Sequence, residues 1–389
     1  MEKVLKVLAV GDPAVYAYTD RQFSILPTFT TLYGTKVEFT IVPWNDYYGK
    51  LMDTFAGKAY YDIVMVAGHL WLKDFVEQGY LAEVNIPSDS EYDLEDIVDV
   101  IRDELKVSGK QYLYPSFCDG HFLLYRKSIV EKYYGELLPE VIDTATIMKV
   151  AAICHGKEGM DGIALKAHPS EIFLDFLPYL RNEGIDAFDP KRHVPTFNEP
   201  KGKEALTNYI KMKQFASANV EGFGNNEVRE ALQNKECVLA VTWGGQVGFV
   251  LDENCIDKDD IGFAALNSAW NVTWSFAIHQ QSAHHELANE FLSYITSKQI
   301  DRMIGSYAGS PVRKSTYSTD SSKFAWYKTH LQLIEHYAKP LPMMEAAGDR
   351  MAPLYEEISN AFSGKKSVES ALNDAESKVL EINSRSREQ

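Results

Sequence analysis

Apolar residues in this chain fall into short unbroken runs, each closed by small or turn-forming residues and followed by a stretch with apolar positions at helical spacing. Val4 to Val10 is the first run, ending at Gly11-Asp12-Pro13, and reads as a buried strand. A helix-like stretch from Tyr18 to Leu32 leads to Gly34, and Val37 to Val42 reads as a second strand broken by Pro43. Trp44-Asn45-Asp46 then opens a helix through Leu51 and Phe55 to Gly57, with Asn45 as the expected N-cap. Asp62 starts a strand of Ile63, Val64, Met65 and Val66, Ala67-Gly68 turns the backbone, and a helix from Leu70 to Gln78 stops at Gly79. Strand and helix alternating three times predicts a doubly wound α/β sheet.

After an acidic stretch from Ser88 to Asp103, the segment Gly109 to Arg126 breaks this rhythm with two apolar runs around Pro115 and Gly120, and reads as a strand crossing between lobes. Thr144 to Lys213 is mainly helical in pattern, interrupted by Gly184, Pro190, Pro195 and Pro200. Glu236 to Val241 predicts a strand running into Trp243-Gly244-Gly245, followed by strands over Ile261 to Leu266 and Val272 to Ile278 and a helix over Ser282 to Ser297. The tail from Leu341 is helical and amphipathic. At 389 residues the chain exceeds what one core holds comfortably, so two lobes are expected.

Charge removes several function classes. With 39 basic against 55 acidic residues, net −16, the chain lacks the basic face that phosphate neutralisation needs, so a nucleic-acid partner is not expected. No window approaches the length of a membrane span, and the first residues lack the small-residue cleavage site of a signal peptide. The expectation is a soluble chain, or a mature one whose export segment has been removed. Cys118, Cys154, Cys237 and Cys255 form no CxxC and no zinc spacing, and burial as small hydrophobes is expected of them.

Recognised chemical motifs fail one by one. His285-Glu286-Leu287-Ala288-Asn289 opens like a zinc-protease helix, but Asn289 stands where the second imidazole is needed. Asp252 to Asp260 is acidic yet has no glycine at its sixth position and no closing glutamate for calcium. No P-loop, GxGxxG or GxSxG is present, so neither a cofactor nor a metal is expected. What remains is aromatic. Trp44, Trp71, Trp243, Trp270 and Trp274, five of the six tryptophans, fall at or near predicted strand ends or turns. An indole offers a flat apolar face with a polar N–H edge, which matches the C–H face and hydroxyl rim of a pyranose. Asp46, His69, Asp119 and Arg313 are the candidates for reading hydroxyls. The structural alternatives are a capping role for Asp46, a turn role for His69 and Asp119, and a surface ion pair for Arg313.

The order of elements resembles the extracellular solute-binding proteins of ABC importers, specifically the carbohydrate branch typified by the maltose-binding proteins. The resemblance covers nearly the whole chain. It rests on Tyr61-Asp62-Ile63-Val64 before a loop, Gly79-Tyr80-Leu81-Ala82-Glu83-Val84, Gly109 to Pro115 followed by Leu124-Tyr125-Arg126-Lys127, and the strand entering Trp243. Glu286 to Leu292, Gly309-Ser310-Pro311-Val312-Arg313 and Ser367 to Leu372 complete it. It implies a two-lobed periplasmic-binding-protein fold of type II, with lobes of residues 1–114 plus 266–312 and 115–265 plus 313–389, several hinge crossings and a sugar in an aromatic interlobe cleft. It also implies a monomer that delivers a mono- or oligosaccharide to permease subunits, extracytoplasmic as a periplasmic protein or cell-surface lipoprotein, and not an enzyme. Ligand contacts are implied at Asp12 and Tyr16 after the first strand, at Gly68, His69 and Trp71, at Asp119, at Trp243 with Gly244 and Gly245, and at Trp274 and Arg313. The alternatives are a receptor for a polyamine or peptide, or a glycoside hydrolase. Hydrolysis needs two carboxyl groups roughly 5 to 10 Å apart, and the sequence offers only the isolated Asp119 and the distant Glu345.

Overall fold

The computed structural model describes residues 3–385, which divide into two compact units. One runs to Asp119 and includes Val272–Leu331; the other comprises Gly120–Asn271 and the chain from Gln332. The chain therefore passes between units after Asp119, Asn271 and Leu331, where the sequence reading placed the passages after residues 114, 265 and 312. The largest difference is the last. Residues 313–331 belong to the first unit, and Arg313 at their start is wholly buried there and donates to the carbonyls of Thr296 and Asp93.

In the first unit, β1 (Lys3–Val10) pairs in parallel with β2 (Thr35–Val42) and with β3 (Ile63–Ala67). All five residues of β3 are buried, as expected of a parallel strand covered on both faces. The helices α1 (Pro13–Thr19), α2 (Ile25–Tyr33), α3 (Trp44–Phe55), α4 (Gly68–Glu77) and α5 (Asp99–Glu104) follow these strands. Gly34 takes a left-handed φ of 63° to stop α2. The expected N-cap at Asn45 is displaced: α3 begins at Trp44, and Pro43, with φ −53°, occupies the cap without a side-chain bond. Proline is preset for helix entry, so the helix starts directly after it. Similarly α4 begins at Gly68, which puts His69 in its first turn rather than in a loop.

The 14-residue strand β4 (Leu113–Arg126) is buried throughout. In the second unit its later part pairs antiparallel with β6 (Cys237–Trp243) on one side and β7 (Ile261–Leu266) on the other. β5 (Asp161–Ala164), which the sequence reading merged into a helical region, adds in parallel to β6. Four residues are too few to show a period. β8 (Asn271–Ile278) returns the chain to the first unit, where it pairs antiparallel with β3 from Trp274↔Ala67 to Ile278↔Ile63. The helices Ala347–Phe362 and Val368–Arg385 realise the amphipathic tail and pack on each other in the second unit.

All four cysteines are buried and none is in a disulfide. Burial pushes the Cys237 thiol up to about 12 and raises those of Cys154 and Cys255. No helix among the described residues is long and apolar enough to cross a membrane.

Burial also sets a pH dependence. His330 is fully buried in the first unit, its Nδ1 2.7 Å from the Tyr317 hydroxyl, and desolvation lowers its pKa to about 3. Below the unfolded value of about 6.5 the unfolded chain takes a proton that the folded chain refuses, so this contribution to stability is present above that pH and declines below it. Between pH 7.5 and 5.0 the loss is about 2 kcal/mol. His330→Gln should lose correspondingly less stability over that interval. Urea midpoints of both proteins at the two pH values measure this, and equal losses would refute it. Asp175 and Asp301, raised to about 6 by burial, act in the opposite sense but equally in both proteins.

Candidate functional site

The parallel strands β2 and β3 of the first unit and the antiparallel β8 bring three indoles to one edge of its sheet. β2 ends at Val42 and passes through Pro43 into Trp44; β3 ends at Ala67 and passes into the first turns of α4, which carry Trp71. Trp274 lies opposite Ala67 on β8. In open α/β sheets this carboxyl edge is where ligands bind. Trp44 stacks on Trp71 with centroids 6.0 Å apart and planes 9° apart, and Trp274 meets both edge-on at 5.8 and 5.5 Å. Phe117 stacks on Trp274 at 6.4 Å and Tyr48 tilts against Trp71 at 5.3 Å. Beneath them the buried Tyr47 hydroxyl donates to the Met65 carbonyl at 2.8 Å and accepts from its N–H at 2.9 Å, fixing the start of α3 on the sheet.

The remaining candidates of this unit divide. Tyr16 on α1 is exposed, with its hydroxyl above Gly11, and Asp46 is exposed in the first turn of α3, where the helix dipole favours an anion. Asp12 caps α1 by accepting from the Ala14 N–H at 2.9 Å. Asp119 is buried near the middle of β4. His69 is buried, with Nδ1 3.1 Å from the carboxylate of Glu104. Arg313, read as a solute contact with a surface ion pair as the alternative, is fully buried and turned inward to Thr296, Asp93 and Asp96, with its guanidinium 4.7 Å from the Tyr92 ring centre. Its length and five donors suit it to collecting interior carbonyls.

The second unit has its own indole edge. Trp243 ends β6 and leads into a turn of Gly244, Gly245 and Gln246, all buried. Trp270 meets Trp243 edge-on at 5.5 Å, and the ring of His121 lies 4.7 Å from Trp243. His121 and Trp243 are register partners across β4 and β6. The His121 Nδ1 accepts from the backbone N–H of Trp270 at 3.0 Å and its Nε2 donates to the Leu174 carbonyl at 2.8 Å. This fixes a neutral Nε2–H ring, in line with burial holding its pKa well below the usual value. Lys166, two residues beyond β5, is wholly buried with its Nζ 3.7 Å from the Trp243 ring centre. Behind it Asp175 accepts from the Lys166 N–H and the Tyr209 hydroxyl, and desolvation pushes its carboxyl up to about 6 against the pull of the Lys166 cation.

His121, Lys166, Asp175 and Glu104 were not foreseen. Only Asp175 carries a visible signal, a lone carboxylate within the otherwise apolar run Ile172 to Leu177. The donor set lacks what metal chemistry requires: among the described residues no three His, Cys, Asp or Glu could hold an ion together.

Bacterial extracellular solute-binding proteins match residues 15–301, well over half the length. The chain belongs to that family. A mannitol-binding protein of Pseudomonas aeruginosa is 26% identical over 259 residues, 62% of this chain and 58% of that protein, so the match spans under two thirds of the relative. A probable amino-acid ABC transporter periplasmic-binding protein of Sinorhizobium fredii is 21% identical over 372 residues, 90% of this chain and 83% of its own. The crystal structure of an ABC transporter solute-binding protein from Agrobacterium vitis S4 with bound D-mannitol superposes with a TM-score of 0.86, covering 99% of each chain at 23% identity. The fold of this solute-binding protein is accordingly the two-lobed periplasmic one, and the indole edges lie where an α/β lobe of that fold presents its strand ends.

Proposed function

We propose that this solute-binding protein is the receptor of an ABC importer for a sugar alcohol or a small sugar, which it hands to permease subunits outside the cytoplasm. The observation that carries this reading is the gathering of indoles at the carboxyl edge of each unit's sheet, Trp44, Trp71 and Trp274 in one and Trp243 and Trp270 in the other. Flat apolar faces suit C–H surfaces, and Asp46, Tyr16, Asp119 and His69 are the polar groups proposed to read hydroxyls. Arg313 and Asp12 are withdrawn from that role, because their side chains are engaged with Thr296 and Asp93 and with the start of α1. The mannitol names of a sequence relative and a structural neighbour support a polyol.

Binding without turnover is part of the proposal. Hydrolysis needs an acid and a second carboxylate across the scissile bond, and the buried Glu104 and Asp175, each bonded to neighbours in the interior of its own unit, do not supply that pair. An amino-acid solute is the second reading, favoured by the name of the Sinorhizobium relative.

A thermal-shift panel separates these. D-mannitol, ribitol, glucose and maltose are compared with amino acids, spermidine and a short peptide. A ligand at 100 times its Kd stabilises by about 2.7 kcal/mol, so a polyol or sugar should raise the melting temperature by several degrees while the other solutes leave it unchanged. Shifts confined to amino acids or spermidine would replace the solute class, and a released product on chromatography would replace receptor by enzyme.

A further inference from the structure

In the first unit, the side chain of Glu104 is only 4% exposed. It closes α5, where the helix carbonyls disfavour an anion, and a buried carboxylate is costly unless hydrogen bonds satisfy it. Three donors do so. His69 Nδ1 lies 3.1 Å and the Thr273 backbone N–H 3.1 Å from Oε2, and the Thr273 hydroxyl lies 3.2 Å from Oε1. The same Oε2 stands in the space that a Cβ on Gly68 would need, so only glycine lets the carboxylate approach this turn.

These bonds join the first turn of α4 to the start of β8. The joined segments carry Trp71 and Trp274, whose rings stand 5.5 Å apart at 84°. Apolar contacts could hold two segments together at lower cost, but they would not fix direction; a charged acceptor with three aimed donors does. We propose that Glu104 is a positioning residue of the solute site, holding His69 and the Trp71–Trp274 pair in the orientation that a polyol or sugar requires. This rests on the polyol or sugar reading above. Glu104 itself acts through His69 and the indoles, and recognition depends on it as on any support that locks the groups in contact with a ligand.

The test compares the full chain with Glu104→Gln, whose amide keeps the shape but cannot accept from all three donors at once. Calorimetry uses D-mannitol, ribitol and maltose as probes, and near-ultraviolet circular dichroism follows the indoles without any solute. The expected result is at least a tenfold loss of affinity for whichever probe the parent binds, with an altered indole spectrum and unchanged secondary structure. Should Glu104→Gln fail to fold, Thr273→Val removes the hydroxyl donor alone and is expected to show the same changes in smaller measure. Retained affinity would overturn the proposal, and so would lost affinity with an unchanged indole spectrum. A parent that takes up none of the three probes would defeat the sugar reading instead. The spectra alone would then decide: an unchanged indole band in the variant overturns positioning by Glu104, and an altered one sustains it.

Discussion

Trp243→Ala should weaken binding of the polyol or sugar identified by the solute panel by roughly five- to hundredfold, measured by titration calorimetry on the folded fraction. Stacking on an aromatic face contributes ~1–3 kcal/mol per ring in the comparable case of nucleic-acid bases, and each 1.4 kcal/mol is a factor of ten. Trp243 also anchors its surroundings, since Lys166, His121 and Trp270 all pack on its ring. The substitution will therefore lower the unliganded melting temperature too, because deleting a buried Trp costs about 3–5 kcal/mol. Trp243→Phe keeps a flat ring and should recover part of both losses. An affinity indistinguishable from the parent in Trp243→Ala would remove this residue from the proposed site.

Arg313→Met should act the other way, lowering stability by about 3–5 kcal/mol while leaving the affinity of the surviving folded protein unchanged. Its guanidinium donates to the Thr296 and Asp93 carbonyls and lies 3.5 Å from Asp96 in a fully buried position. Methionine fills much of the volume but orphans those acceptors. The melting temperature is expected to fall by roughly 10 °C. A variant with parental stability and reduced affinity would return Arg313 to the solute contacts.

The strands were legible because unbroken apolar runs closed by small or turn-forming residues have few readings: β1, β3 and β7 lie within a residue or two of their expected bounds. The same logic puts Trp44, Trp71 and Trp274 at or near strand ends or turns; Trp44 opens α3, Trp71 lies in α4 and Trp274 within β8, and their rings pack on one another. Polar residues in the interior were not legible. Glu104 directly follows the acidic stretch Ser88 to Asp103, and nothing local distinguishes it from its exposed neighbour Asp103. Lys166 and His121 follow or interrupt apolar runs, but their partners, Trp243 and Trp270, are dozens of residues distant or more. Arg313 was misplaced for the same reason, since the direction of a long side chain is decided by carbonyls that the local sequence does not contain.

Four thiols shut inside the two units, three of them held well protonated by burial, make the surface chemically silent toward thiol reagents. Nucleophilic attack on a maleimide requires an accessible thiolate. A single cysteine introduced beside an indole edge, at the exposed Tyr48 for example, would then be the one position that takes up a dye. The native chain thus comes ready as a chassis for an optical sensor, in which one label reports occupancy without any of the protein's own sulfurs having to be replaced.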